Sequence, residues 1–210
     1  MSLPEAGTSL NNGVRKIYPG VTIVVTCHTP RVRSGLLNNA LISIWSQTHL
    51  PDAVSIAIDH YHQGAAVTRN RAMLMANTEW IVFLDSDDIL YPEYLVKLFN
   101  HQAETQADVV WPWFDVKGAG DPFPMHFGRQ WIPEEPHIFA ITTLVRRELA
   151  LEVGGFPEEY QAGAMCAGED FPFWIAMSKA GAKFSHLPER LWEWNHIPPG
   201  GNTSGLGSRW

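Results

Sequence analysis

Trp80-Ile81-Val82-Phe83-Leu84-Asp85-Ser86-Asp87-Asp88 is the stretch around which this chain is organised: five apolar residues run straight into an acidic cluster. The apolar run is far too short to span a membrane and has the length of a buried strand. Side chains alternate along a strand, so an extended chain as far as Asp87 points Asp85 and Asp87 the same way, just past the strand's carboxyl end. In open α/β sheets that edge is where ligands bind. Two convergent carboxylates repel unless a proton or a cation offsets them, and a hard divalent ion such as Mg²⁺ or Mn²⁺ takes oxygen ligands. The same residues also read as a strand followed by an acidic turn and a helix start, since Asp is common in turns.

Working outward, further strands and helices alternate. Val21 to Cys27 is rich in β-branched residues and predicts a buried first strand, ended by a turn at His28-Thr29-Pro30. Ser34 is placed to cap the next helix, whose Leu37, Ala40, Leu41, Ile44 and Trp45 share one face. Val54 to Ile58 predicts a second strand closed by Asp59, and Ala65 to Ala76 a helix. Pro92 suits a helix start before Leu95, Leu98 and Phe99, and Asp108 to Phe114 predicts a fourth strand with Pro112 at its end or on an edge. Repeated strand–helix units predict an α/β fold with a mostly parallel central sheet flanked by helices. Residues 115 to 137 form a long aperiodic stretch. Beyond it come a strand at Phe139 to Val145, a helix at Arg147 to Val153, another at Glu169 to Ala180, and short strands at Lys183 to Leu187 and Leu191 to Asn195. Residues 1–20 are expected to be a loose arm and 198–210 a flexible tail.

Composition narrows the class. The 210 residues are 45% hydrophobic and 18% charged, which describes one globular domain. A formal charge of −7 argues against a nucleic-acid partner. Cys27 and Cys166 make no disulfide framework, and no apolar leader or membrane-length segment is visible, so a soluble, cytoplasmic setting is expected.

Four segments in order resemble family 2 glycosyltransferases. Thr68-Arg69-Asn70-Arg71-Ala72 and then Glu79 to Asp88 match the family's centre with its D-x-D motif. Val153-Gly154-Gly155-Phe156-Pro157-Glu158 is similar to its G-G-F-D-E segment, and Gly168-Glu169-Asp170-Phe171-Pro172-Phe173-Trp174 to its G-E-D motif. The resemblance spans about Val21 to His196 and implies a single GT-A domain, Rossmann-like, over residues 21–197. Residues 21–114 would bind the nucleotide sugar and 115–197 the acceptor.

That resemblance implies metal-dependent, inverting transfer of a hexose from a nucleotide diphosphate sugar, with a UDP-sugar favoured, to a glycan, protein or small-molecule hydroxyl. It implies Asp87, with Asp85 and His196, as ligands of Mn²⁺ or Mg²⁺, and Asp170 as general base with Glu169 beside it. Thr26, His28, Asp59, Arg69, Asp85 and Ser86 would line the nucleotide sugar, and Asn202-Thr203-Ser204 would follow His196 over the donor. Asp88 reads as a turn residue. Two stretches depart from the family: Thr26-Cys27-His28-Thr29-Pro30 replaces P-x-Y-N, and Asp59-His60-Tyr61-His62 replaces D-D-G-S. His60 and His62 would share a face if extended, but zinc needs further ligands that the spacing does not supply. Trp111, Trp113, Phe114, Phe123, Phe127 and Trp131 offer either core packing or a sugar-stacking surface. A homo-oligomer stays open. Two other functions compete: a non-catalytic nucleotide-sugar or glycan-binding module of the same fold, and a haloacid dehalogenase-like phosphotransferase, whose nucleophile motif Leu84-Asp85-Ser86-Asp87-Asp88-Ile89 also resembles.

Overall fold

The structure, a computed structural model, describes residues 8–11, 14–118, 141–159 and 169–195. Strands β1 (Thr8–Asn11) and β2 (Val14–Ile17) pair antiparallel, so the arm expected at the N-terminus holds a small two-stranded sheet. Then come β3 (Val21–His28), α1 (Thr29–Arg33), α2 (Leu36–Trp45), β4 (Ala53–Asp59), α3 (Ala65–Met75) and β5 (Trp80–Asp85). The two-residue β6 (Ile89–Leu90), α4 (Tyr94–Thr105) and β7 (Val109–Lys117) follow. The last described elements are β8 (Leu144–Arg146), α5 (Arg147–Glu152), α6 (Asp170–Lys179) and β9 (Phe184–Asn195).

Seven strands form the central sheet in the order β4-β3-β5-β8-β7-β9-β6. The pairs β3/β4, β3/β5 and β7/β9 are parallel, while β5/β8, β7/β8 and β6/β9 are antiparallel. Five strands therefore run one way, and β8 and β6 run against them. The expected α/β architecture with a mostly parallel sheet holds, with β8 inserted backwards into the middle.

Alternation along β5 divides the core. Trp80, Val82 and Leu84 pack with Ile44, Leu95, Leu98 and Phe99 on the face covered by α2 and α4. Ile81 and Phe83 pack with Ala66, Met73, Phe156, Phe173 and Trp174 on the face covered by α3 and α6. A strand apolar on both faces is what burial on both sides requires. Continuing the alternation, Asp85 leaves the strand on the α3 face, as does Thr26 of β3 after Val24.

Three local expectations change. The turn expected at Thr29-Pro30 is the short helix α1, because Pro fits a helix's first turn, where its missing N–H costs nothing. The cap of α2 is Gly35 rather than Ser34, because the backbone there takes φ +82°. The two strands expected near the C-terminus are one, β9, which passes Pro188 by a register shift against β7, so that Pro112 faces Leu187 and Trp113 faces Arg190. A bulge absorbs the residues that cannot pair, Pro188 among them, and pairing resumes beyond it.

Candidate active site

The parallel strands β4, β3 and β5 end at one sheet edge, with His28 opposite Asp59 and Thr26 opposite Asp85. Arg69 reaches this edge from α3. Its Nη2 donates to both carboxylate oxygens of Asp85 at 3.0 Å, and its Nη1 is paired with Oε1 of Glu169. Thr26 Oγ1 donates a third bond to Asp85 Oδ1 at 2.9 Å. The guanidinium also lies 5.6 Å from the Phe156 ring centroid. A buried cation is tolerated only with partners, and here two carboxylates from different elements supply them. Burial works against the Asp85 charge, but Arg69 and Arg31 outweigh it and hold the carboxyl below its usual value.

Asp87 does not share the direction of Asp85. The strand stops at Asp85 and the chain turns, with the Asp88 amide donating to the Asp85 carbonyl at 3.1 Å. The extended path assumed for Asp87 is therefore not taken. Its Oδ2 meets Arg31 Nη2 of α1 at 2.8 Å. Burial, opposed by Arg31 and reinforced by Asp85, raises the Asp87 carboxyl above its ordinary value. Asp88 is buried deeper still; burial and its acidic neighbours push it further up. Its Oδ1 accepts the backbone N–H of Asn195 at 3.0 Å, tying the end of β9 to the acidic turn. Asp88 is thus a structural turn residue, as its sequence position suggested. Ser86 is fully buried beneath the turn, its amide donating to the Thr26 carbonyl at 3.0 Å.

The loop after β4 is built by Asp59. Its Oδ1 accepts the amides of Tyr61 (3.2 Å) and Gln63 (3.0 Å), and its Oδ2 accepts that of Gly64 (3.0 Å). Burial opposes this charge, and the amides overcome the penalty and lower the carboxyl's pKa. The loop carries His62 in the left-handed region at φ +56° and places its Nδ1 3.0 Å from His28 Nε2. Burial and the facing imidazole lower the His28 pKa. His60 Nδ1 sits 3.2 Å from Thr29 Oγ1 instead, so the two loop histidines diverge and the zinc arrangement does not form.

Asp170 opens α6 beside Glu169. Its Oδ1 accepts the Phe171 amide at 3.0 Å. Burial, countered by Arg69 and aided by the Glu169 charge, raises its carboxyl to about 6. Asn70, next to Arg69, fixes the Gly-Gly-Phe segment. Its Nδ2 donates to the Phe156 carbonyl (2.8 Å) and to Glu158 Oε1 (3.1 Å), and its Oδ1 accepts the Phe156 amide (2.8 Å). Residues 69 and 70 therefore bind together β5, the start of α6 and the segment after α5. His196, the tail, and the aromatics Phe123, Phe127 and Trp131 lie outside the described residues. Trp111 stacks on His186 at 4.8 Å, and Phe114 is buried against Trp192.

The donor set fits a hard divalent cation in one respect: the acidic turn offers carboxylate oxygens, the ligand type such an ion takes. Among the described residues no three His, Cys, Asp or Glu side chains converge on one point. Asp87 is engaged by Arg31 through Oδ2. Asp85 is engaged by Arg69, and Asp88 by Asn195. Two residues were not singled out from sequence, Arg31 and Asn70. The signal for Arg31 was Pro30, which opens a helix directly after a strand that ends at the ligand edge.

A family model described as glycosyl transferase family 2 matches residues 45–155, more than half of the chain. The chain belongs to glycosyl transferase family 2. Over 60 residues it is 37% identical to the poly(ribitol-phosphate) beta-N-acetylglucosaminyltransferase TarP of Staphylococcus aureus (strain N315), a match covering 29% of this chain and 18% of TarP. Crystal structures of S. aureus TarS 1-349 share its fold: the first gives a TM-score of 0.69 at 16% identity, covering 84% of this chain and 60% of that one. TarS 1-349 in complex with UDP-GlcNAc gives 0.70 at 17% identity, covering 85% and 59%. The chain thus spans about three fifths of the TarS fragment and under a fifth of TarP. Among the described residues of this family member, no helix is long and apolar enough to cross a membrane.

Proposed function

We propose that this family 2 member is a metal-dependent, inverting glycosyltransferase that moves a hexose from a UDP-sugar to an acceptor hydroxyl. The observation that carries the reading is the Arg69 guanidinium, which ties the strand-end Asp85 to Glu169 and so holds the donor-side carboxylates and the candidate base Asp170 in one frame. The crystal structures of S. aureus TarS 1-349 in complex with UDP-GlcNAc and with UDP support a uridine diphosphate donor.

Asp170 serves as general base. A carboxyl near 6 is ionised at neutral pH yet basic enough to take an acceptor proton as the bond to the sugar forms. Glu169 keeps Arg69 turned toward the base. Asp85 fixes the same guanidinium from the donor side; a direct role at the ribose or metal would require that contact to open. Asp87 would hold the divalent ion, which would supply Lewis-acid stabilisation of the leaving diphosphate. Thr26 orients Asp85, while His28 and His62 form the wall at the nucleoside end. Asp59 contributes by shaping that wall, since three amides take up its oxygens. The phosphotransferase alternative loses ground here, because both oxygens of Asp85 already accept hydrogen bonds from Arg69, and Oδ1 one from Thr26 as well, which draws charge away from a nucleophile.

The test is a screen of nucleotide sugars for Mn²⁺-dependent thermal stabilisation, followed by the anomeric configuration of the product by NMR. A donor at 100 times its Kd adds about 2.7 kcal/mol. No shift with any nucleotide sugar, with or without metal, overturns the reading. A shift without transfer to any acceptor favours the binding-module alternative.

A further inference from the structure

One buried ring touches three parts of the site at once. Phe156 is 1% exposed, and its ring stacks on Phe173 of α6 with centroids 4.2 Å apart and planes at 29°. Phe83 of β5 lies nearly perpendicular to it, at 5.0 Å and 86°. The Arg69 guanidinium is 5.6 Å from its centroid, within cation–π range. The backbone of Phe156 is clamped as well: Asn70 Nδ2 donates to its carbonyl and Asn70 Oδ1 accepts its amide, both at 2.8 Å. A Cβ at residue 155 would stand 2.4 Å from Asn70 Oδ1, so glycine there makes the clamp possible. Asn70 follows Arg69 on α3, and Phe173 lies three residues after Asp170 on α6. The clamped ring therefore relates the helix that carries Arg69 to the helix that carries Asp170.

We propose that Phe156 is a positioning residue for the base: its clamped ring holds the first turn of α6 against Arg69 and so sets where Asp170 stands relative to the donor. This inference rests on the transferase reading with Asp170 as base. A core contact that only stabilises is replaceable by an apolar side chain of similar volume. Leu lacks two things the ring supplies, a flat face on which Phe173 stacks and a negative face toward the guanidinium. Without them the start of α6 settles differently over Phe83. A base displaced by an ångström costs rate heavily, while the nucleotide keeps its own contacts. The displacement also weakens the Arg69 charge at Asp170. Burial raises that carboxyl and Arg69 opposes the rise, so a displaced base ionises less readily.

Steady-state transfer from the UDP-sugar that stabilises the protein, together with calorimetric binding of UDP, tests this. Phe156→Leu should bind UDP with a Kd within about twofold of the wild type and lose kcat by roughly 10- to 100-fold. The acid limb of its kcat/KM profile should move to higher pH. Phe173→Leu removes the stack from the other side and should do the same, with the double variant no slower than the slower single one. Phe99→Leu, an equally buried ring in the other core, should lose comparable stability and keep wild-type kcat and pH profile. A Phe156→Leu chain with unchanged kcat and acid limb overturns the inference, and so does an equal loss of kcat in Phe99→Leu; either leaves Phe156 a packing residue. Should Phe156→Leu not fold, Phe173→Leu at wild-type kcat overturns it equally. A wild type that transfers from no UDP-sugar overturns the transferase reading and this inference together, whereas wild-type transfer with an indifferent Phe156 overturns the inference alone.

Discussion

Replacing Asp170 by Asn should remove transfer and at the same time make the donor-free protein more stable, in a pH-dependent way. The Asp170 carboxyl is raised from 3.8 to about 6, with burial the largest cause. Two pKa units correspond to roughly 3 kcal/mol of penalty on the ionised form, at about 1.4 kcal/mol per unit. The native state thus holds the proton more tightly than the unfolded chain does. Below about pH 3 both states are protonated and no penalty exists; it grows through the window between 3.8 and 6 and is complete above it. Asn carries no charge, and its side-chain oxygen can still accept the Phe171 amide. Asp170→Asn should therefore exceed the wild type in urea-unfolding stability by up to about 3 kcal/mol at pH 7.5, and by almost nothing at pH 3. Transfer should fall by about 10² to 10⁴ while UDP-sugar binding persists, and wild-type kcat/KM should drop about tenfold per pH unit below about 6. Unchanged turnover in the Asn variant would refute the base assignment. A stability difference that does not vary with pH would refute the burial argument.

Other parts of the site give sharper contrasts. Arg69→Met leaves Asp85 and Glu169 without their common cation and should cost about 3–5 kcal/mol in urea unfolding. Gly155→Ala forces φ +74° on an L-residue and puts its Cβ 2.4 Å from Asn70 Oδ1. The loss should be about 2–4 kcal/mol, and less than additive with Asn70→Ala, which removes the obstructing oxygen. Asp88→Asn keeps an acceptor for the Asn195 amide, so Mn²⁺-dependent stabilisation by donor should survive; Asp87→Asn should abolish it.

Much of this arrangement was legible in the chain. Trp80 to Leu84 announced a doubly buried strand, and the structure sends its alternate residues into two separate cores. Arg69 and Asp85 were both read as site residues; that they pair with each other was not, because they stand sixteen positions apart on a helix and on the strand after it. Local pattern failed where a backbone changed direction. Asp85 and Asp87 share a face only if the strand continues, and a turn at Ser86 sends them to different arginines. Asp59 was legible as a strand-end carboxylate, yet its oxygens serve three amides of its own loop, an Asx-type turn that composition alone does not distinguish from a ligand contact. Arg31 was missed because its meaning depends on a partner 56 positions away. Lys183 to Leu187 and Leu191 to Asn195 read as two strands, and only the pairing with β7 shows a register shift carrying one strand past Pro188.

The charge balance of the site follows from these contacts. Asp85, Asp87, Asp88, Glu169 and Asp170 gather around two guanidiniums, those of Arg31 and Arg69. Negative charge is therefore in excess; burial is the main cause of the upward shifts at Asp87, Asp88 and Asp170, with the neighbouring carboxylates adding to it, whereas Asp85, closest to Arg69, is shifted down. A bare nucleotide diphosphate would add negative charge to a region already over-supplied. Positive charge brought in with the donor reverses that, and it does so at low dielectric, where each unit of charge counts for most. At neutral pH the buried, ionised Asp170 opposes the donor-free fold in the same place where a cation is favoured, and donor and ion arriving together offset that penalty by binding the native state.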